Sequence, residues 1–249
     1  MSAPFQLVQL SDPHLGAEWG GVDPGAALAA AVAAVLALRP RPDAVLVSGD
    51  LADHAADAEY EQVRAMLAPL GVPVHVLPGN HDDRAALRRH FGAPGAGAEP
   101  VRYAVRCGPL RLVACDTTRP GHDDGELDVT WVEAQLDGDR ETPTLLALHH
   151  PPLLTGLHAM DAVGLAARDR RALGELVARH PQVRCIAAGH AHRTATGRLG
   201  GCPVLLAPST YVQARLDFET TEMALAVEPP GFVVHALMDG ELVSHVQPV

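Results

Sequence analysis

Aromatic side chains are scarce in this 249-residue chain: 2 Trp, 3 Tyr and 4 Phe make up 4% of it. Apolar residues still reach 47%, so Ala, Val and Leu must do the packing. Cysteine is equally thin. Cys107, Cys115, Cys185 and Cys202 show no CxxC spacing, which argues against a zinc knot or redox pair and for four reduced, buried thiols. A long apolar run is missing too. The best candidate, Ala26 to Leu38, is too short to span a bilayer. The start, MSAPFQLVQLSD, lacks the basic and apolar regions of a secretory signal, so a cytoplasmic protein is expected. Positive charge is in deficit as well: 19 basic against 30 acidic residues give −11. A long nucleic acid would be repelled, whereas a small phosphate ester at a local cationic site is allowed. The length does not separate one large α/β domain from two small ones, and the expectation is a single domain over 1–249.

Histidine is abundant, at 14 residues, which turns attention to metal or proton chemistry. Strand-like and helix-like segments alternate along the chain. Phe5 to Leu10, Ala44 to Ser48 and Val74 to Leu77 read as apolar strands. Between them, Leu28, Val32, Val35 and Leu36, then Tyr60, Val63, Leu67 and Leu70, stripe two helices. Asp23-Pro24 is a helix start, with Asp as cap and Pro in the first turn. Two successive βαβ units predict a parallel sheet. The second half predicts a hairpin over Arg102 to Arg106 and Leu110 to Cys115, and helices over Val129 to Leu136 and Asp169 to Arg179. Strands are predicted over Thr144 to Leu148 and Arg184 to Ala188, with a β-rich tail over Thr194 to Arg198, Val204 to Leu206, Met223 to Val227, Phe232 to Leu237 and Leu242 to Val246.

Five segments share one layout, in which an apolar strand ends and metal-type residues follow at once. They are Asp12-Pro-His14, Gly49-Asp50, Gly79-Asn80-His81-Asp82, His149-His150-Pro151 and Gly189-His190-Ala191-His192. In open α/β sheets, ligands bind beyond the carboxyl ends of the strands, where these segments would converge. Two carboxylates, one amide oxygen and four imidazoles, without a thiolate, suit Fe, Mn, Zn or Co. So large a set suits two metals sharing a bridge, and the carboxylate after Gly49 is the natural bridge. Asp12/His14 and His190/His192 are expected to project to one side from extended backbone. His54, His122, His150 and His158 lie in loops near the motifs and are pocket candidates; His75, His90, His180, His235 and His245 read as surface or hydrogen-bonded core groups. Arg84, Arg88 and Arg89 read as a solvated helix face rather than a phosphate clamp.

The series from Asp12-x-His14 to Gly189-His190-x-His192 resembles the calcineurin-like metallophosphoesterase superfamily, from about Phe5 to Gln213. GDLAD (49–53), GNHDDR (79–84), CDTTRPGHDDGEL (115–127), LHHPP (148–152) and APSTYVQ (207–213) are similar to bacterial class III cyclic-nucleotide phosphodiesterases and the related glycerophosphodiesterases. The resemblance implies an α/β fold, a four-layer α-β-β-α sandwich with two central mixed sheets. It implies that Asp12, His14 and His192 hold one metal, that Asn80, His149 and His190 hold another, and that Asp50 bridges them. His149 rather than His150 is the implied ligand. His81 is implied to face the substrate phosphate beside Asn80, as a charge stabiliser or general acid, and Asp53 is a candidate to orient a nearby imidazole. The expected cofactor is a pair of metal ions, Fe or Mn first and Zn or Co as options. The expected reaction is in-line attack on a small phosphodiester, cyclic nucleotides foremost, by hydroxide activated at the metals. Phosphomonoesters and glycerophosphodiesters are the alternative substrates. A nuclease or a non-catalytic scaffold fits less well, the scaffold because it predicts eroded ligands. The expected partners are the small substrate and, as an option, a second copy in a homodimer.

Overall fold

The computed structural model describes residues 3–226 and 228–249. In chain order its first half contains β1 (Phe5–Leu10), α1 (Pro24–Ala37), β2 (Ala44–Ser48), α2 (Asp57–Leu67), β3 (Val74–Leu77), α3 (Arg84–Phe91), β4 (Tyr103–Cys107) and β5 (Leu110–Ala114). The second half contains α4 (Val129–Gly138), β6 (Thr144–Ala147), α5 (His158–Ala162), α6 (Ala167–Val177), β7 (Val183–Ala188), β8 (Ala195–Leu199), β9 (Cys202–Leu206), β10 (Gln213–Ala214), β11 (Leu225–Ala226), β12 (Gly231–Met238) and β13 (Glu241–Pro248). One sheet has the order β13-β12-β1-β2-β3 and the other β4-β5-β6-β7-β9-β8, with β10-β11 a separate short pair. The β1-β2-β3 neighbours are parallel, as are β5-β6-β7-β9, while β12, β13, β4 and β8 pair antiparallel, so both large sheets are mixed.

Strand alternation builds the layers. On β1 and β2, Val8, Leu10, Val45 and Val47 face α1, α2 and α3, where Leu28, Val35, Tyr60, Val63 and Leu87 complete one core. Their neighbours Leu7, Ala44 and Leu46 face the opposite way and meet Leu112, Ala114, Leu145, Ala147, Cys185 and Ala187 of the second sheet. Val113, Leu146, Ile186 and Ala188 then turn out toward Val132, Leu136, Leu173 and Leu176 of α4 and α6. The result is the expected four layers, helix, sheet, sheet, helix. Each fully buried Leu or Val contributes about 1.5–3 kcal/mol by area, so no aromatic-rich core is needed.

Asp23 caps α1 by accepting from the Gly25 and Ala26 N–H groups, with Pro24 in the first turn as expected. Gln9, buried between the sheets, donates to Ser48 Oγ at 2.8 Å and the Ala188 carbonyl at 3.2 Å, which ties β1 to a strand of each sheet. All four cysteines are free and buried. Among the described residues, no helix is long and apolar enough to cross a membrane.

Three sequence readings change. The strand expected over Met223 to Val227 is reduced to Leu225–Ala226, and Val227 lies outside the described residues. The arginine face is not solvated as a whole. Arg84 is mostly covered and makes a two-nitrogen pairing with Asp116, while Arg88 donates to the Pro94, Gly97, Glu99 and Pro100 carbonyls. A guanidinium satisfied by a buried carboxylate and by loop carbonyls acts as a strap, and only Arg89, on Asp57, keeps the exposed character expected. Short α5 was not anticipated, because five residues carry no periodicity.

Candidate metal centre

The parallel strands β1, β2, β3, β6 and β7 all end at one edge, and the loops that follow carry every residue of the candidate set. Asp12, His14, Asp50, His149, His190 and His192 are buried there. The backbone route differs from the expected extended one. Asp12, His14, Asp50, His190 and His192 have φ of 52°, 45°, 51°, 65° and 46°, all left-handed. Asp and His tolerate that region better than most side chains, but it still costs about 1 kcal/mol or more per residue. Cross-loop hydrogen bonds hold it: the Asp12 N–H donates to the Gly49 carbonyl and the His14 N–H to the Asp50 carbonyl. Convergence of Asp12 with His14, and of His190 with His192, therefore comes from tight turns rather than from strand pleat.

Three of the four imidazoles are oriented by their second nitrogen, while His190 Nε2 is buried without a hydrogen-bond partner among the described residues. His14 Nδ1–H donates to Asp53 Oδ1 at 2.9 Å, His192 Nδ1–H to the Val212 carbonyl at 2.9 Å, and His149 Nδ1–H to the Ser48 carbonyl at 2.9 Å. In the neutral form of each ring these bonds leave Nε2 as a lone pair. His14 Nε2 and His192 Nε2 then face each other at 3.0 Å beside Asp12 and Asp50. On the other side, His149 Nε2 and His190 Nδ1 stand 3.2 Å apart, and Asn80 Oδ1 lies 3.2 and 3.0 Å from them. Asp50 Oδ2 lies between the two groups, 3.4 Å from His14 Nε2 and 3.4 Å from His149 Nε2. Its other oxygen accepts the His81 N–H at 2.9 Å. Lone pairs crowded this closely repel one another unless a cation sits among them, so the donor set fits two metal ions.

Burial pushes His192 down to about 4 and lowers His14 and His190 as well, which keeps these rings neutral and able to ligate. Burial works against the charged form of His149 too, but Asp50 and Asp12 outweigh it and raise this ring to about 9. The proton those carboxylates draw to His149 marks the place a cation would take. His81 is only half-buried. Its Nδ1–H donates to the Asp53 carbonyl at 2.9 Å, leaving Nε2 for the cavity, and Asp50 and Asp53 raise its affinity for a proton against the effect of burial.

A cavity of about 400 Å³ opens over the cluster, with His14, Asp50, Asn80, His81, His190 and His192 among its lining. None of His54, His122, His150 and His158 lines it. His150 lies beside His149 and His190, but Thr117 Oγ occupies its Nδ1 at 2.7 Å and the Asp123 carbonyl its Nε2 at 3.1 Å. Three supporting residues had no role assigned from the sequence. Trp19 Nε1–H donates to Asp53 at 3.2 Å, and its ring packs edge-on against His14. Thr117 locks His150. Asp82 accepts from the Leu51, Ala52 and Gly79 N–H groups and so clamps the Asp50 loop to the Asn80 loop. The only signal for Asp82 was its place in the GNHDDR run.

Three comparisons bear on this geometry. The profile of the Calcineurin-like phosphoesterase family matches residues 5–194. The glycerophosphodiester phosphodiesterase GpdQ of Enterobacter lignolyticus is 33% identical over 250 residues, covering 96% of this chain and 89% of that protein. The 3′,5′-cyclic adenosine monophosphate phosphodiesterase CpdA of Pseudomonas aeruginosa is 35% identical over 220 residues, covering 85% and 78%. Among solved structures, a dimetal phosphatase from Danio rerio superposes with a TM-score of 0.70 at 19% identity, covering 98% of this chain and 99% of that one.

Proposed function

We propose, since the chain belongs to the calcineurin-like phosphoesterase family, that it is a dinuclear-metal hydrolase of small phosphodiesters, with cyclic nucleotides as its leading substrates. The observation that carries this reading is the placing of Asp50 Oδ2, equidistant at 3.4 Å from an imidazole of each group. Under this reading Asp12, His14 and His192 hold one metal, Asn80, His149 and His190 hold the other, and Asp50 bridges. All seven are present and converge, which a non-catalytic scaffold would not require. Oxygen and imidazole donors without thiolate favour Mn or Fe, with Zn or Co as alternatives. When bound, the metals supply Lewis-acid polarisation of the phosphate and an activated water.

The chain's own residues do the rest. Asn80 and His81 sit where the phosphate would enter, and His81 Nε2 offers a proton to the departing alkoxide or a charge to an equatorial oxygen. Asp53 holds both rings, His14 through its carboxylate and His81 through its carbonyl. Acidic composition, −11 overall, supports a small diester over a polynucleotide. Free thiols support a cytoplasmic setting. The GpdQ likeness keeps glycerophosphodiesters as the second reading.

The test reconstitutes chelated protein with Mn, Co or Fe and assays bis-p-nitrophenyl phosphate, p-nitrophenyl phosphate, 2′,3′- and 3′,5′-cyclic AMP and glycerophosphodiesters. Two metals per chain and diesters preferred over monoesters are expected. Full activity in metal-free protein, or a monoester preference, refutes the proposal. His81→Ala should keep both metals and lose turnover, most of all for alkoxide leaving groups if His81 is the acid.

A further inference from the structure

The cavity lining is of two unlike kinds. Besides the metal-type residues it holds Trp19, packed against His14 and His192, and Ala159, Met160, Val163 and Met223, with Asp123 as the one ionisable residue among these described residues. Ala159 and Met160 belong to α5, Val163 follows its last turn, and Met223 reaches in from the segment before β11. Trp19 is fixed in place, because its N–H is committed to Asp53 and its ring packs against Tyr211 at 5.0 Å. Met160 is buried among Leu157, Val163 and Ala214, whereas Met223 is 45% exposed.

We infer that this thioether-and-indole wall selects the substrate by the organic group esterified to its phosphate, taking the flat face of a nucleobase and disfavouring a glycerol head. The inference rests on the phosphodiesterase reading above. A glycerol head brings hydroxyls that lose water on entry. Among the described side chains of the wall only that of Asp123 could answer them, since the Trp19 N–H is already used, and a hydroxyl buried without a partner is costly. A purine or pyrimidine ring instead presents a π-face to sulfur and indole, contacts that are favourable and tolerant of exact position. Its exocyclic amine, or the ribose hydroxyl, leaves one donor for Asp123 to accept. The volume of about 400 Å³ is within the range of small-ligand sites and admits a nucleoside phosphate.

The test compares kcat/KM for 3′,5′-cyclic AMP and for glycerophosphoethanolamine, using metal-loaded wild type, Met223→Gln and Met160→Leu. Met223→Gln keeps the side-chain length at an exposed position, and Met160→Leu keeps apolar volume at a buried one, so folding is retained. The ratio of the two kcat/KM values should fall about fivefold in Met223→Gln, chiefly through KM for the cyclic nucleotide, and by a smaller factor in Met160→Leu. Metal content should stay at the wild-type value. An unchanged ratio in both variants, with cyclic AMP still preferred by the wild type, overturns the wall and leaves the phosphodiesterase reading standing. A wild type that prefers glycerophosphoethanolamine overturns the wall and the cyclic-nucleotide reading together. A wild type that cleaves neither diester overturns the phosphodiesterase reading itself, and the wall with it.

Discussion

Replacing Gly49 by alanine tests how the second metal group is built. Gly49 has φ +97°, and an added Cβ would lie 2.2 Å from His149 Nδ1 and 2.8 Å from the Gly79 nitrogen. The imidazole must retreat by about 1 Å to restore ordinary contact. That retreat breaks its bond to the Ser48 carbonyl, now 2.9 Å, and carries Nε2 away from Asp50 and Asn80. Left-handed strain costs about 1–2 kcal/mol. The lost hydrogen bond adds about 1 kcal/mol, and overpacking about 1–3. The sum is about 3–6 kcal/mol of stability. Gly240, with φ +82° and open space around its missing Cβ, supplies the control, because Gly240→Ala carries the dihedral cost alone. Urea unfolding of both variants separates the two terms, and elemental analysis counts metals. Gly49→Ala should unfold at clearly lower urea than Gly240→Ala, hold fewer than two metals, and lose about 10²-fold in kcat/KM. If Gly49→Ala matches Gly240→Ala in stability and keeps both metals, the close approach to His149 is not what demands glycine there.

Asp50→Ala should be the most damaging single change at the centre, emptying both metal positions by elemental analysis, since Asp50 Oδ2 faces both groups. Asp53→Asn should weaken the metal held at His14 by about 10–100-fold in a competitive chelator titration, because the amide still accepts from Nδ1–H but no longer supports the ring with charge. His235 predicts an acid limb of stability. Burial holds this ring down to about 4 in the native state against 6.5 when unfolded, so between those values the unfolded chain binds the extra proton. The neutral-ring contribution is therefore whole above pH 6.5, falls as pH drops toward 4, and amounts to about 3 kcal/mol. Urea midpoints from pH 7 to 4 should fall less steeply in His235→Gln than in wild type, and parallel slopes would contradict this.

Much of the candidate centre was legible because residues able to hold a metal are chemically restricted and here follow directly on apolar strand ends. Ala44–Ser48 running into Gly49-Asp50 shows both features in one short stretch. The βαβ units were legible in the apolar runs and helix stripes, whereas the four-layer sandwich followed from the family resemblance; in the structure Val45 and Val47 take one face of β2 and Ala44 and Leu46 the other. What escaped depends on distant partners. Asp53 is legible as an orienting carboxylate, but which imidazole it holds, His14 across 39 positions, is not, and the Val212 carbonyl that orients His192 across 20 positions has no local pattern to announce it. Arg84 looks solvated until Asp116, 32 positions on, is folded beside it. The left-handed turns at Asp12 and His190 are likewise imposed from outside, since the His190 N–H is captured by the Asp12 carboxylate from 178 residues away.

The scarcity of aromatics and the metal geometry are connected through the inter-sheet core. His149 follows β6 of one sheet, yet the carbonyl that orients it belongs to Ser48 at the end of β2 in the other. His190 follows β7, and its N–H bonds to Asp12 after β1. Both links cross the sandwich, so the spacing of the sheets sets the spacing of the two metal groups. That spacing is set by Ala44, Leu46, Ala114, Leu145, Ala147 and Ala187. An aromatic ring among these small side chains would wedge the sheets apart beneath the site, drawing His149 from Ser48 and His190 from Asp12 at once. A buried inter-sheet core of mostly alanine and leucine is thus suited to a candidate centre whose proposed ligands come from both sheets.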